Sequence, residues 1–132
     1  MSQENIATVT RFYAEVGKRK ALPPEFFAPD CVTDWAEVSP DFNRLEGVDA
    51  TQKALGPYFE TFDNYHVDVL QVVRMDQHRV VVAVRDGGRI RGSGAEVWNR
   101  YFHAWVFREG KATWLSSHTN QDQALRAVGL EE

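Results

Sequence analysis

The sequence predicts an α+β fold in which helices cover one face of a curved antiparallel β-sheet, and three observations point to it. Apolar residues at helical spacing come first, over residues 2–18, and strand-forming segments linked by short turns follow from Tyr65 onward. Helices gathered ahead of the strands, rather than alternating with them, favour segregated layers over a parallel α/β sheet. The third observation is residues 101–120, YFHAWVFREGKATWLSSHTN, which read as a long hairpin turning at Arg108-Glu109-Gly110-Lys111. In its first arm Tyr101, His103, Trp105 and Phe107 alternate with Phe102, Ala104 and Val106, so neither face suits water. One face must cover a core or pocket, with a histidine in the middle of it.

The elements follow in order. Residues 2–18 place Ile6, Val9, Tyr13 and Val16 on one stripe, and Gly17 with Lys18-Arg19-Lys20 suits a helix end, where cations meet the negative end of the dipole. Pro23-Pro24 restarts the chain, and residues 25–28 fit one helical turn stopped by Pro29. Residues 31–38 read as a strand with Thr33, Trp35 and Glu37 on a common face, and residues 39–47 as a polar loop. A second helix is expected from Val48 towards Phe62, kinked or broken at Gly56-Pro57. Strands are then expected over residues 65–75 and 80–85, with a third leaving a glycine-rich turn that contains Gly87-Gly88, Gly92 and Gly94. Residues 80–84 are apolar on both faces, which marks a central strand. Residues 121–128 suit a short terminal helix closed by Gly129. A sheet curled around a helix leaves a conical hollow, the natural ligand site.

Bulk properties narrow the function classes. At 132 residues the chain is expected to form one domain over its whole length, needing no disulfide or metal staple. A net charge of −4 with interspersed signs gives no basic field for nucleic acid or an anionic membrane, and no apolar run is long enough to span a bilayer. The single cysteine, Cys31, excludes a Cys-based zinc site, and none of the four histidines sits at metal-binding helical spacing, so no metal is expected. The N-terminus shows no signal-peptide pattern, and a cytoplasmic setting is the default expectation.

Phe26-Phe27-Ala28-Pro29-Asp30 before the first strand, the run from Tyr58 through Phe62-Asp63-Asn64-Tyr65, Gly92-Ser93-Gly94, His103-Ala104-Trp105 ahead of Glu109-Gly110-Lys111, and Ala124-Leu125-Arg126-Ala127-Val128-Gly129-Leu130 carry a resemblance. The chain resembles the nuclear transport factor 2-like superfamily, which includes ketosteroid isomerase and limonene epoxide hydrolase, and above all its SnoaL-like branch of polyketide cyclases. The resemblance implies a cone-shaped sheet, a cystatin-like roll, around the N-terminal helices. It also places Trp35 where the isomerase has its aspartate base, Phe12 where that enzyme has its tyrosine, with Tyr13 adjacent, and Ser117 where the cyclases and epoxide hydrolase have an aspartate. His103 falls where the cyclase has a functional histidine and the isomerase a protonated aspartate that donates to an oxyanion.

Imidazole is able to donate to an oxyanion or to accept a proton from carbon. The expected function is therefore a cofactor-free enzyme for proton transfer on a small hydrophobic carbonyl or polyketide-like molecule, of isomerase, cyclase or dehydratase type. His103 is the expected catalytic group, with Glu37, Tyr13 and Tyr101 assisting and Glu37 paired with it. Phe12, Trp35, Phe62, Trp105, Phe107 and Ser117 are expected to form the ligand-binding wall. The alternative is a non-catalytic small-molecule-binding or dimerising domain that has lost the family carboxylates, with His103 a core histidine. A homodimer is expected through the outer sheet face, where Phe102, Val106, Trp114, Ser116 and His118 would lie.

Overall fold

A computed structural model of the protein describes residues 2–39 and 43–131. Helix α1 (Ser2–Arg19) leads through a 3-10 turn (Pro24–Phe26) into strand β1 (Phe27–Asp34), then β2 (Arg44–Glu46) and helix α2 (Val48–Glu60). Strands β3 (His66–Met75), β4 (Arg79–Arg89), β5 (Glu96–Arg108) and β6 (Lys111–His118) follow, and helix α3 (Gln121–Ala127) ends the chain. Together the strands form one curved, open sheet in the order β2-β1-β6-β5-β4-β3. Each pairing is antiparallel except β1 with β6, which run parallel. No hairpin joins β1 to β6, so short-range pattern carries no information about their relative direction.

Helix α1 forms because Val9, Phe12, Tyr13 and Val16 recur on one face, and all four are buried against the sheet. On the same inner face lie Val80, Val82 and Val84 from β4, Trp105 and Phe107 from β5, and Leu115 from β6, with Leu55 and Phe59 of α2 closing the layer. The opposite face carries a second, smaller core in which Val81 and Ala104 meet Ala124, Leu125 and Val128 of α3. Both faces of β4 are therefore covered, as its apolar run predicts. Because α3 packs there, Phe102, Val106 and Trp114 of the expected dimer face are partly covered by the chain itself.

Four expectations about elements need correction. Helix α2 runs on through Gly56-Pro57, with Thr61 Oγ1 donating to the Pro57 carbonyl in its last turn. Gly87 and Gly88 lie inside β4, not in a turn. At φ 148° and 149°, a Cβ there would stand 2.0 Å from the carbonyl oxygens of Val97 and Asn64 respectively, so both positions demand glycine because other backbone passes so close. Strand β1 begins and ends four residues earlier than expected, because a register shift between Phe27 and Val32 absorbs Pro29 and Asp34 Oδ1 then accepts from the Ala36 N–H in a local turn. The expected loop over residues 39–47 contains β2, while its residues 40–42 lie outside the described residues. The organising hairpin matches its reading: Glu109 and Gly110, at φ 51° and 79°, form a two-residue turn whose twist suits the flanking strands.

Candidate functional site

Between α1, α2 and the inner sheet face lies a cavity of about 200 Å³. Phe12, Tyr13 and Val16 of α1 and Leu55, Tyr58 and Phe59 of α2 form one side of it. Leu115 and Ser117 of β6, Tyr101 and His103 of β5, and Asp86 of β4 form the other, with Trp35 and Val38 from the segment after β1 at its edge. Most of this wall is apolar, as binding cavities generally are, and its polar groups are few. Strand alternation sets who faces in: His103 pairs with Val82 on β4 and with Ser117 on β6, and all three share the inner face.

The orientation of His103 follows from a hydrogen-bond relay. Trp105 Nε1–H, which can only donate, donates to the Tyr13 hydroxyl oxygen at 3.2 Å. The Tyr13 proton is then free for its other neighbour, His103 Nδ1, 2.5 Å away. Burial holds the Tyr13 hydroxyl well above its ordinary pKa, so Tyr13 keeps that proton and donates it. Nδ1 is thus the acceptor, and the ring carries its own hydrogen on Nε2. Burial, with a smaller contribution from His118 across the sheet, lowers the His103 pKa to about 3, so the ring is neutral at ordinary pH. Nε2–H has no acceptor among the described residues, and the ring retains 9% exposure where it lines the cavity. Tyr101 lies nearly parallel to the imidazole at 10°, and Trp35 meets it edge-on at 6.1 Å. Trp35 is itself fixed, its indole N–H donating to Thr33 Oγ1 at 2.9 Å.

A second polar pole lies along the same face. Asp86 continues the inward series Val80, Val82, Val84 and is 6% exposed. Its Oδ2 accepts from Tyr58 at 2.9 Å and from Tyr65 at 2.7 Å, while its buried Oδ1 has no hydrogen-bond partner. Burial raises the Asp86 pKa, partly offset by the Tyr65 and Tyr58 hydroxyls and the Asn99 side chain. Sequence reading missed this residue by taking Asp86-Gly87-Gly88 as a turn. The available signal was the two-residue period of residues 80–86, which puts Asp86 on the face of the inward valines.

The expected site residues divide. Tyr13, Tyr101, His103, Phe12, Trp35 and Ser117 all line the cavity. Phe62, Trp105 and Phe107 do not: all three are buried in the main core, Trp105 under Phe12 of α1 with Phe107 stacked beside it, and Phe62 after α2 against Tyr58 and Tyr65. Glu37 neither faces the cavity nor pairs with His103. The strand ends before it, and the turn carries its carboxylate to the outer face, 2.8 Å from His118 Nδ1 as an ion-pair contact out of line for a straight hydrogen bond. There Trp114 donates to Ser116 Oγ at 2.9 Å and Ser116 lies 2.7 Å from His118 Nε2. This serine, histidine and glutamate have the connectivity of a catalytic triad, yet Ser116 is fully buried and its hydroxyl is consumed by its two neighbours. No substrate reaches it. No group of His, Cys, Asp and Glu among the described residues is arranged to hold a metal ion.

Fold and cavity together define a small α+β cone with a ligand-sized hollow. The SnoaL-like domain family matches residues 9–115, and the chain belongs to that family. Among solved structures, AclR from Streptomyces galilaeus is similar over 100% of this chain and 89% of its own, at 15% identity and a TM-score of 0.76. A ketosteroid isomerase-like fold protein from Catenulispora acidiphila, in complex with trimethylamine, is similar over 99% and 96%, at 14% identity and 0.68. TerC, co-crystallised with polyporic acid, is similar over 98% and 99%, at 19% identity and 0.69. At these identities the likeness is one of fold. Structures sharing it carry names as different as polyketide cyclase, isomerase, hydroxylase and epoxide hydrolase. A search of curated protein sequences finds no match.

Proposed function

We propose that the protein binds a small, largely apolar carbonyl compound in the cone and promotes proton transfer on it, a solvent water or hydroxide taking the α-proton while the protein stabilises the enolate left behind, which isomerisation, cyclisation and dehydration share. The observation that carries this reading is the unaccepted His103 Nε2–H facing an apolar cavity, held by Tyr13 and Trp105. A neutral imidazole donor is suited to an oxyanion, because it strengthens its hydrogen bond as charge develops and surrenders no full proton. Since Nε2 already carries hydrogen, His103 is the oxyanion donor in this reading and not the base. Tyr13 is a positioning residue, and Tyr101 and Trp35 hold a flat ligand beside the ring. The chemistry requires no cofactor. That similar folds are crystallised with trimethylamine and with polyporic acid supports a small-molecule ligand. Homodimer formation through the outer face belongs to the same proposal, and sedimentation measures it.

Deuterium exchange tests the reading without a known substrate. Acetylnaphthalene in heavy water, followed by NMR, exchanges its methyl protons faster with the protein than in buffer, and the acceleration is absent in His103→Ala. Binding with no acceleration leaves a ligand-binding domain without this chemistry. Acceleration that persists in His103→Ala removes His103 from the mechanism.

A further inference from the structure

Two serines stand next to each other on β6 and meet opposite fates. Ser116 faces outward, where Trp114 and His118 take up its hydroxyl. Ser117 faces inward and lines the cavity, and its hydroxyl has no hydrogen-bond partner among the described residues. That oxygen is not sealed away: the side-chain polar atoms shut in without a hydrogen bond belong to Arg85, Asp86 and His118. The 2% of Ser117 that stays exposed therefore includes its hydroxyl, at the cavity wall. An unpaired hydroxyl on an apolar wall is costly, and alanine would fit there without that cost. The chain supplies no partner, so the partner belongs to the contents of the cavity.

We propose that Ser117 is a second catalytic donor, its Oγ–H joining His103 Nε2–H on the carbonyl oxygen that becomes the enolate. Ser117 and His103 are direct cross-strand partners on the inner face, which sets their Cβ atoms about 4.5–5.5 Å apart. Two hydrogen bonds to a single oxygen span up to about 6 Å between their donors, so one ligand oxygen serves both. With Trp35 and Leu115 in the same wall, that oxygen sits among apolar groups, where a hydrogen bond to developing charge is worth more than in water. In the reaction, water or hydroxide takes the α-proton, the electron pair of the C–H bond passes into the enolate, and the negative oxygen is held by two neutral donors. A proton from solvent then returns to the carbon, and neither side chain changes its protonation state. The inference rests on the proposed docking of a carbonyl at His103, and it names the group that acts beside the imidazole.

Exchange of the acetylnaphthalene methyl protons in heavy water, measured over a range of ketone concentrations, tests it. Ser117→Ala keeps the space and removes the hydroxyl. It lowers the rate at saturating ketone about 10-fold to 100-fold, the worth of a hydrogen bond to a charged oxygen, and leaves the half-saturating concentration within about 3-fold. Ser117→Thr restores a hydroxyl and exchanges about 10-fold faster than Ser117→Val, its match in shape; both are β-branched, which suits a strand. Circular dichroism checks that each variant folds. If Ser117→Ala matches the wild-type rate at saturation while His103→Ala stays at the buffer rate, the Ser117 assignment is overturned and the proposed function stands. Equal rates for the Thr and Val variants overturn it as well, and so does a loss of affinity alone, which a merely structural contact would produce. If the wild type gives no acceleration, both fall.

Discussion

Two imidazoles on adjacent strands, one on each face of the same sheet, are held by the same device and end differently. On the outer face Trp114 donates to Ser116, Ser116 meets His118 Nε2, and Nδ1 faces the Glu37 carboxylate. On the inner face Trp105 donates to Tyr13, Tyr13 donates to His103 Nδ1, and Nε2–H ends in the cavity. A third indole relay behaves like the first: Trp35 donates to Thr33, Thr33 lies 2.7 Å from Thr51, and Thr51 donates to the Gly47 carbonyl. The Thr33–Thr51 relay ends in a hydrogen bond to a protein carbonyl, and the outer one ends against the Glu37 carboxylate as an ion-pair contact. The inner histidine is the one whose last donor is left for something else, and that absence, rather than the presence of a histidine, marks the site. The outer cluster has the residue types of a hydrolase and is closed; the inner one lacks carboxylates beside it and is open.

Breaking the two relays separates their roles. The largest effect falls on His103→Ala, expected to lower the exchange rate about 100-fold to 1000-fold, the usual cost of one oxyanion donor, while His118→Ala leaves it within about 2-fold. Next comes acid stability. The folded His103 pKa of about 3 lies below the unfolded value near 6.5, so the unfolded state binds the proton more readily. The neutral ring's contribution is fully present above pH 6.5 and is lost as pH falls from there towards 3. Urea unfolding should therefore show a steeper loss in wild type than in His103→Gln, with an upper bound of about 5 kcal/mol on the difference. Identical pH slopes would mean that the ring is not desolvated.

Tyr13→Phe removes the hydroxyl that fixes the ring while keeping the aromatic side chain that lines the cavity. It should weaken binding of an aryl ketone about 10-fold and cost about 1–2 kcal/mol of stability, since the Trp105 N–H also loses its acceptor. The smallest effect is that of Glu37→Gln, about 0.5 kcal/mol on stability and none on ligand affinity, because the partly exposed contact with His118 is screened by water. A change in affinity with Glu37→Gln would reconnect the outer cluster to the cavity and undo the contrast between the faces.

How far the sequence could show this varied with the reach of each signal. The inward placement of His103, Tyr101 and Ser117 was legible because strand alternation is local and the turn at Glu109-Gly110 fixes register. Helix α1 was legible from its stripe. Glu37 was misplaced because Pro29 and the turn begun by Asp34 end β1 early, and one residue of slip or a lost strand end redirects every later side chain. Asp86 was hidden because two glycines beside it have turn chemistry, while their actual reason is contact with the backbones of Asn64 and Val97, remote in sequence. Trp105 and Phe107 share the face of His103, yet which part of a face meets a helix and which stays open depends on how α1 and α2 pack.

The most direct test of the central claim is a long-range nitrogen–proton NMR spectrum of the His103 ring, recorded from pH 7 down to about 4. The relay requires a neutral ring with hydrogen on Nε2 throughout, and a shift of that signal when an aryl ketone is added. A ring that titrates near 6.5, or one carrying its hydrogen on Nδ1, would contradict it.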